Sequence, residues 1–416
     1  MANVSSSNGL EKYPKLRFPG FDEPWNESKL SACFAKNIKK NTDGRISNVI
    51  CNSAKMGLIP QRDYFDKDIA NSDNTSGYYI IEHNDFVYNP RKSSDAPYGP
   101  ISRYAYSDAG IVSPLYLCFR AKGDVDTNFF EWYFRSSAWH RYIYMTGDSG
   151  ARHDRVSIKD DDFFSMPIRF PSSIEQKKIT SFLNAIERRI SSQQLLVDNL
   201  KKYKRGVFEA VFSRKLPLVP KARQSDWAAF KLRDFATRIT RKNNGATDIP
   251  LTISAQYGLI DQRDFFSKVV ASTDMSEYYL LRQGEYAYNR STSNDYPFGS
   301  IKRLELYNEG TVSPLYLCFA IKEKVVLSDF AKWYFESSQW HRGINEICAE
   351  GARNHGLLNV PIDGFFNTVH ILPCDIEEQA RIAAFLSQIH DKLTQAQEEL
   401  EKLNSMRNGL MQQLFI

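Results

Sequence analysis

Two short polar runs, one in each half of the sequence, carry side chains that could recognise a nucleic-acid base or a phosphate. Asn can pair with the hydrogen-bonding edge of adenine, and Arg can pair with guanine or a phosphate. The same residues also suit a turn in which Asn ends a strand and the basic residues face water. The sequence leaves both interpretations open. The candidates are Tyr88, Asn89, Arg91 and Lys92 in the first run, and Tyr288, Asn289, Arg290 and Ser291 in the second.

Two further pairs of polar clusters are candidates for contact with DNA. One pair combines Gln with Arg immediately before Asp, so its Arg could contact DNA or form a surface ion pair. The other pair is cationic and adjoins Gly, a composition that favours close approach to a phosphate. The first pair consists of Gln61 and Arg62 with Gln262 and Arg263, and the second of Arg152, His153 and Arg155 with Arg353, Asn354 and His355.

The sequence lacks the motifs of the enzymes that these runs resemble in part. Residues 89–91 lack the second Pro and the aromatic residue of amino-methyltransferase motifs, and no glycine-rich cofactor loop follows a strand. Residues 160–162 with Glu175 and Lys177 could imitate a nuclease, but Ala380 replaces that lysine in the second half. The histidines show no metal-ligand spacing. We therefore expect no catalytic residue, no cofactor and no metal.

Length and composition limit the class of protein. At 416 residues the chain exceeds what one hydrophobic core usually organises, so two domains are expected. No run approaches the roughly 18 apolar residues of a membrane helix, the N-terminus does not resemble a signal sequence, and the six cysteines form no Cys-x-x-Cys pair. We expect a soluble, cytoplasmic protein with reduced thiols and no membrane partner. The net charge of +5 permits nucleic acid as a partner without requiring it.

The elements that position the candidate residues occur twice along the chain. The sequence Ser-Pro-Leu-Tyr-Leu-Cys-Phe at residues 113–119 recurs unchanged at residues 313–319, and Trp-His-Arg at residues 139–141 recurs at residues 340–342. This period is longer than that of solenoid repeats, which run to roughly 20 to 50 residues. Each copy is therefore predicted to be a whole domain with a connector.

Each copy is predicted to be an α+β globule. Short β-like segments alternate with Gly, Pro, Asn and Asp, and a stretch with aromatic residues at helical spacing follows them. A core Trp beside a satisfied His is the favoured interpretation of each Trp-His-Arg. The predicted strands are residues 78–81, 86–88 and 110–119 with 278–281, 286–288 and 310–319, and the predicted aromatic helices lie within residues 129–144 and 330–347.

A long amphipathic helix is predicted after each globule, because apolar residues recur there every three or four positions. About 38 residues make a rod of roughly 55 to 60 Å, which needs a partner helix along its apolar stripe. Residues 174–215 carry a balance of +6 and residues 375–416 a balance of −3, so the two helices are predicted to pair antiparallel as a coiled-coil spacer. The predicted packing residues are Phe182, Ile186, Ile190, Val197 and Leu200 with Phe385, Ile389, Leu393, Leu400 and Leu403.

The order of globule, long helix, globule and long helix resembles the DNA specificity subunit of type I restriction-modification systems. The supporting residues are the run at 14–21 and, at the start of each helix, Glu175-Gln176 and Glu378-Gln379. The resemblance implies two target recognition domains at residues 1–173 and 227–375. Spacer helices would occupy residues 174–215 and 376–416, with a linker at residues 216–226.

The resemblance also implies a function and its partners. Each globule would read one half of a bipartite target in double-stranded DNA, and the helices would dock two adenine methyltransferase subunits. Restriction and translocase subunits would join in the full complex. Because the loops at residues 89–99 and 289–299 are similar, the half-sites are predicted to form an imperfect inverted repeat. The alternatives are a coiled-coil assembly protein that binds only proteins and, more distantly, a nuclease.

Overall fold

The chain folds into two units, and each unit combines one globule with parts of both long helices. The first unit comprises residues 1–194 and 399–416, and the second comprises residues 195–398. A computed structural model describes residues 12–64, 75–149, 154–219, 225–254, 257–265, 274–293, 296–348 and 356–416.

The first globule is built from short strands and short helices, and the first long helix follows it. Their bounds are β1 Asn26–Lys29, α1 Leu30–Cys33, β2 Phe34–Lys36, β3 Ile50–Ser53, β4 Gly57–Pro60, α2 Gln61–Tyr64, β5 Tyr79–Ile81, β6 Phe86–Tyr88, β7 Ile101–Arg103, β8 Gly110–Val112, β9 Leu117–Ala121, α3 Thr127–Arg135, α4 His140–Thr146, β10 Asp148–Ser149, β11 Val156–Ser157, α5 Asp160–Phe164, β12 Pro167–Phe170 and α6 Ser173–Phe212.

The main sheet of the first globule has the antiparallel strand order β2-β9-β6-β7, and its central strands are buried on both faces. Side chains of a strand alternate between its faces. In β6, Phe86 and Tyr88 therefore enter an aromatic core, whereas Val87 enters a second core with Cys118. Phe86 lies opposite Phe119 of β9, and their rings stack at 5.5 Å. This burial explains why both strands read as nearly continuous apolar runs.

The second globule repeats this plan. Its main sheet has the strand order β14-β21-β18-β19, and Tyr286 stacks on Phe319 where the first globule has Phe86 and Phe119. The bounds are β13 Trp227–Lys231, α7 Leu232–Phe235, β14 Ala236–Ile239, β15 Leu251–Ser254, β16 Gly258–Asp261, α8 Gln262–Phe265, β17 Tyr279–Arg282, β18 Tyr286–Asn289, β19 Ser300–Arg303, β20 Glu309–Val312, β21 Leu317–Ile321, α9 Ser328–Glu336, α10 His341–Ile347, α11 Ile362–Asn367, β22 Val369–Pro373 and α12 Ile376–Leu414.

The long helices α6 and α12 pack together antiparallel within each unit. In the first unit, Arg407 of α12 donates to Glu187 of α6 at 3.3 Å. In the second unit, Nζ of Lys204 in α6 lies 3.2 Å from Nδ1 of His390 in α12. As residue number rises along α6, the partner's number falls along α12. The predicted α+β fold with a pair of long helices is confirmed, and α6 and α12 end a few residues before the predicted limits.

The predicted packing residues differ in their burial. Phe182 is 36% exposed, and its ring meets Phe18 of the N-terminal segment edge-on at 5.5 Å. The prediction that Phe182 packs between the helices is therefore corrected, since this ring covers the side of α6 that faces its own globule's N-terminal segment. Leu200, Phe385 and Leu400 are half-buried. The buried members are Ile186, Ile190, Val197, Ile389, Leu393 and Leu403.

The Glu-Gln pair at the start of each long helix ties that helix to its own globule. Glu175 accepts from the guanidinium of Arg17 at 2.8 Å on each oxygen. Glu378 accepts instead from the backbone of Ser225 and from the indole of Trp227, at 2.7 and 3.2 Å. Each following Gln, at 176 and 379, donates to the carbonyl of a proline that precedes the helix, at 2.8 and 2.9 Å. The Glu-Gln motif therefore fixes the start of each long helix by hydrogen bonds.

Two sequence predictions about element boundaries were wrong in the same way. Residues 110–119 and 310–319 were each predicted as one strand, but each forms two strands separated by a turn that starts at Ser-Pro. The aromatic helix of each copy is likewise two short helices, α3 with α4 and α9 with α10. In both cases a short polar or proline-containing break, Ser-Pro between the strands and Ser-Ser between the first copy's helices, divides the predicted element into two. No helix among the described residues has the length and apolar character needed to span a membrane.

Candidate nucleic-acid interface

The loop between β6 and β7 is anchored from below by a buried tyrosine. Tyr88 is 1% exposed and its hydroxyl donates to the carbonyl of Tyr98 at 2.8 Å. Tyr288 is fully buried and donates to the carbonyl of Phe298 at the same distance. Burial raises the pKa of both phenols. The expectation that Tyr88 and Tyr288 contact DNA is therefore corrected: they hold the loop in place from inside the core.

The asparagine that follows each tyrosine shapes the turn. Asn89 Oδ1 accepts from the backbone NH of Arg91 at 3.1 Å, and its Nδ2 donates to the carbonyl of Asn52 at 3.1 Å. Asn289 Oδ1 accepts from the backbone of Ser291 at 3.0 Å. In each copy the amide oxygen therefore accepts from the backbone two residues on, as in an Asx turn. Of the two interpretations left open by the sequence, the structure favours the turn for both asparagines.

A glycine closes each loop against the asparagine that opens it. Gly99 has φ +81, and a Cβ there would lie 2.1 Å from the carbonyl oxygen of Asn89. Gly299 has φ +75, and its Cβ would lie 2.1 Å from the carbonyl oxygen of Asn289. Only glycine adopts this conformation without strain and leaves room for that oxygen. The two loops therefore start and end alike, whatever side chains they carry between these residues.

Two arginines are paired beside the loop of the first unit. Arg91 forms an isolated antiparallel bridge with Arg155, and Lys92 NH donates to the carbonyl of Asp154 at 2.8 Å. Both guanidinium charges act to lower the pKa of the hydroxyl of Tyr116, although burial of that ring raises it more. Neither arginine has a carboxylate partner among the described residues. Like charges held together without a counter-charge suit a phosphate.

The corresponding bridge of the second unit is uncharged. It joins Ser291 to Leu357, so Ser291 occupies the place of Arg91 and Leu357 the place of Arg155. Arg290 is a different position: its Nη2 donates to the carbonyl of Leu315 at 2.9 Å. Both arginines are candidates because each follows Tyr-Asn. The two bridges match Arg91 with Ser291, so among the described residues the cationic pair belongs to the first unit alone.

The Gln-Arg clusters lie at the start of the short helices α2 and α8. Arg263 forks Asp261, with Nε 3.0 Å from Oδ1 and Nη2 2.6 Å from Oδ2, and this hydrogen bonding lowers the pKa of Asp261. Gln262 Nε2 donates to the carbonyl of Leu251 at 3.2 Å. Arg263 thus forms an ion pair, but its close partner is Asp261 and not Asp264, the Asp that follows it in the sequence. Gln61 is half-buried and Arg62 is exposed.

The third cluster falls mainly outside the described residues. Arg152, His153, Arg353, Asn354 and His355 lie in the segments that the structure does not describe. Of that cluster, only Arg155 is placed, in the bridge with Arg91.

The tryptophans of the two Trp-His-Arg motifs belong to the core, as predicted, and each following histidine is half-buried against its ring. His140 meets the ring of Trp139 at 4.6 Å, and His341 meets Trp340 at the same distance. Trp139 and Trp340 are both 2% exposed. Burial lowers the pKa of both imidazoles, so they stay neutral near pH 7. Within the described part of the chain, no group of His, Cys, Asp and Glu is arranged to hold a metal ion.

Sequence reasoning missed a set of exposed apolar residues at the tips of two turns in each unit. Leu115 and Leu315 are 60% and 58% exposed, and Met56 and Tyr257 are 60% and 55% exposed. They lie in the turns after β8 and β20 and in the β3–β4 and β15–β16 connections. A signal was present, because Ser-Pro is a turn marker inside each repeated apolar run.

These tips adjoin the candidate loops and form one surface in each unit, which we call the turn surface. In the first unit it comprises residues 53–57, 89–99, 113–116 and 155. Lys55 lies 3.6 Å from Asp95 across it. In the second unit the described part comprises residues 257–258, 289–293, 296–299, 313–316 and 357. Rigid turns that expose polar, cationic and apolar side chains together suit contact with a nucleic acid.

Comparison with known proteins finds solved structures that have a similar fold. No family model matches the sequence, and no curated protein matches it. The S subunit of a type I restriction-modification system from M. genitalium is 13% identical and has a TM-score of 0.54, over 97% of this chain and 99% of that chain. A chain from a type I restriction-modification structure concerned with complex assembly and conformational transition is 14% identical and has a TM-score of 0.58, over 95% and 98%. This chain has the fold of the type I restriction-modification S subunits.

Proposed function

We propose that this chain is a DNA specificity subunit, in which each globule contacts one half of a bipartite double-stranded target through its turn surface. The observation that carries the proposal is the fold similarity over nearly the whole chain, including both globules and both long helices. The turn surfaces support it independently. They occur once in each unit, they are built on the same buried anchors, and one carries two bridged arginines that form no ion pair with the described residues.

The chain has no catalytic role of its own in this proposal. Two adenine methyltransferase subunits dock on the long helices and modify the DNA that the globules select, and restriction and translocase subunits complete the assembly. Support for protein partners comes from the second solved structure, which concerns the assembly of a type I restriction-modification complex. The exposed apolar residues of α6, such as Leu195, Leu196 and Tyr203, offer surface for such docking.

The two half-sites are similar without being identical. Both loops share their tyrosine, asparagine and glycine anchors, so their exposed side chains project from similar backbones. Similar side chains on similar backbones contact similar base edges. Arg91 and Arg155 face the first half-site, where Ser291 and Leu357 face the second. The target is therefore an imperfect inverted repeat.

The test is selection of DNA by the full-length chain. The purified chain, alone and with adenine methyltransferase subunits, is incubated with a pool of random duplexes, and the bound duplexes are sequenced. We expect two short conserved blocks separated by a spacer of constant length. Binding of the methyltransferase subunits without any sequence preference would favour a scaffold that binds only proteins, and would refute the proposal.

A further inference from the structure

We propose that Leu115 and Leu315 are apolar wedges that enter between neighbouring base pairs, one in each half-site. This inference deepens the proposed function and rests on it. Neither leucine belongs to the polar runs from which base recognition was first expected. Each is instead an exposed large apolar residue in a turn that the chain repeats without change.

The turn that presents each leucine is rigid. Ser113 accepts from the backbone NH of Leu115 through its hydroxyl at 3.3 Å and from the NH of Tyr116 through its carbonyl at 3.0 Å. The second copy has the same two bonds at the same distances, from Leu315 and Tyr316 to Ser313. Pro114 and Pro314, which precede the leucines, each have a φ fixed by the proline ring. A side chain held this way loses little further freedom on binding.

The turn is also fixed to the core on its C-terminal side. Tyr116 and Tyr316 are half-buried, and the cysteines two residues further on are 1% exposed. Burial raises the pKa of both thiols, Cys118 and Cys318, to about 12, so these thiols remain neutral apolar groups. The turn that carries each leucine is thus joined directly to the buried part of a packed sheet.

Charge beside the leucines favours DNA as the occupant. In the first unit, the bridged Arg91 and Arg155 belong to the same turn surface as Leu115. In the second unit, Arg290 donates directly to the carbonyl of Leu315 at 2.9 Å. Proteins that unstack DNA insert an apolar side chain while neighbouring cations hold the flanking phosphates. The same combination of groups occurs here in both units.

The pattern of difference between the units distinguishes a wedge from a base reader. Arg91 and Arg155 of the first turn surface are replaced by Ser291 and Leu357 in the second, whereas the leucine is unchanged. A residue that keeps its identity while its neighbours change suits a contact that does not depend on base sequence. Stacking against base planes is such a contact, because every base offers an apolar face.

The experiment uses the full-length chain with its methyltransferase subunits and the duplex that the random-pool selection yields. 2-Aminopurine is placed in turn at each position of both conserved blocks. Its fluorescence rises when a neighbouring base pair is unstacked. The variants are Leu115→Ala, Leu315→Ala and both together, with Leu306→Ala as the matched control. Leu306 is 64% exposed and follows β19 at the end away from the loop.

We expect the wild-type complex to raise the fluorescence at one step in each block, and each single variant to abolish the rise in one block only. The double variant should bind about ten- to a hundredfold more weakly, since two buried leucine contacts are lost. Its salt dependence should be unchanged because no charge is removed. The Leu306 variant should behave as the wild type.

Three results separate the possible failures. If the wild type selects DNA but raises no fluorescence, or if the double variant retains both the rise and the affinity, the wedge is refuted while the proposed function stands. If the double variant loses methyltransferase binding and keeps its affinity for DNA, the leucines are protein contacts and the wedge is again refuted. If the wild type selects no sequence, the proposed function fails, and the wedge fails with it.

Discussion

His370 is predicted to make the second unit sensitive to acid. It is 3% exposed on β22, where Nδ1 lies 3.0 Å from the hydroxyl of Tyr334 and Nε2 lies 2.9 Å from that of Thr368. Burial lowers the pKa of His370 to about 4. The folded unit therefore holds a neutral imidazole, and one ring nitrogen donates a hydrogen bond while the other accepts one.

The size and sign of the effect follow from proton binding. The ordinary His pKa is 6.5, so the difference of about 2.5 units corresponds to about 3 kcal/mol of stability. Between the two pKa values the unfolded chain binds a proton that the folded chain does not. The contribution is thus complete above about pH 6.5 and is lost as the pH falls toward about 4. By pH 5 the loss is about 2 kcal/mol.

The first unit supplies the matched variant for a test of His370. Met166 and Ile168 occupy, beside β12, the places that Thr368 and His370 occupy beside β22. Urea unfolding of the full chain is measured at pH 7.5 and pH 5, with hydrogen exchange to locate the change. Replacing Thr368→Met and His370→Ile together should reduce the loss of stability on acidification by about 2 kcal/mol. Equal losses in wild type and variant would show that the imidazole does not control this sensitivity.

Three further predictions concern DNA affinity, a buried charge and the helix pair. Arg91→Ser with Arg155→Leu should reduce the slope of log affinity against log salt by about two units in a filter-binding titration, since two phosphate contacts are lost. An unchanged slope would show that neither arginine contacts a phosphate. Arg120→Ala should cost about 1.5 to 3 kcal/mol in urea unfolding, because it removes two hydrogen bonds, at 2.6 and 2.7 Å, from the fully buried carboxylate of Asp85. Leu393→Asp should lower the free energy of unfolding by about 1.5 to 3 kcal/mol in the same assay, because Leu393 is 7% exposed and its apolar contacts are lost. A decrease below about 0.5 kcal/mol would contradict its burial.

The doubled architecture could be predicted because its signals are local. Each long helix repeats an apolar residue every three or four positions, and this pattern depends only on helical geometry. The buried strand around Phe86 could also be predicted, because a short apolar run is likewise a local signal. The turn at Ser113 could not be separated from its flanking strands, because all three are apolar and the chain's reversal leaves hydrophobicity unchanged. Ser-Pro was the one local indication of that reversal.

The candidate site depended on contacts between distant residues, and the sequence predicted it less well. Arg91 and Arg155 are far apart in the sequence. They meet only in the backbone bridge between the loop and the residue that precedes β11. No local sequence pattern links Arg91 to Arg155, or Ser291 to Leu357. The charge balance of the long helices likewise did not predict the ion pair that forms. Glu187 belongs to the basic helix and Arg407 to the acidic one, since local register decides which side chains meet.

The glycine that closes each loop has an evolutionary consequence. Gly99 and Gly299 fix where the loop ends, and the buried tyrosines fix where it starts, so neither anchor uses an exposed side chain. Between the anchors, Tyr98 and Phe298 also pack on the two cores, so only the exposed positions of each loop can change without altering that packing. Because both copies share these anchors and both packed rings, exchange of loop segments between the two halves of the sequence would keep the same supports. Such an exchange would give new combinations of exposed side chains from sequence that the chain already carries.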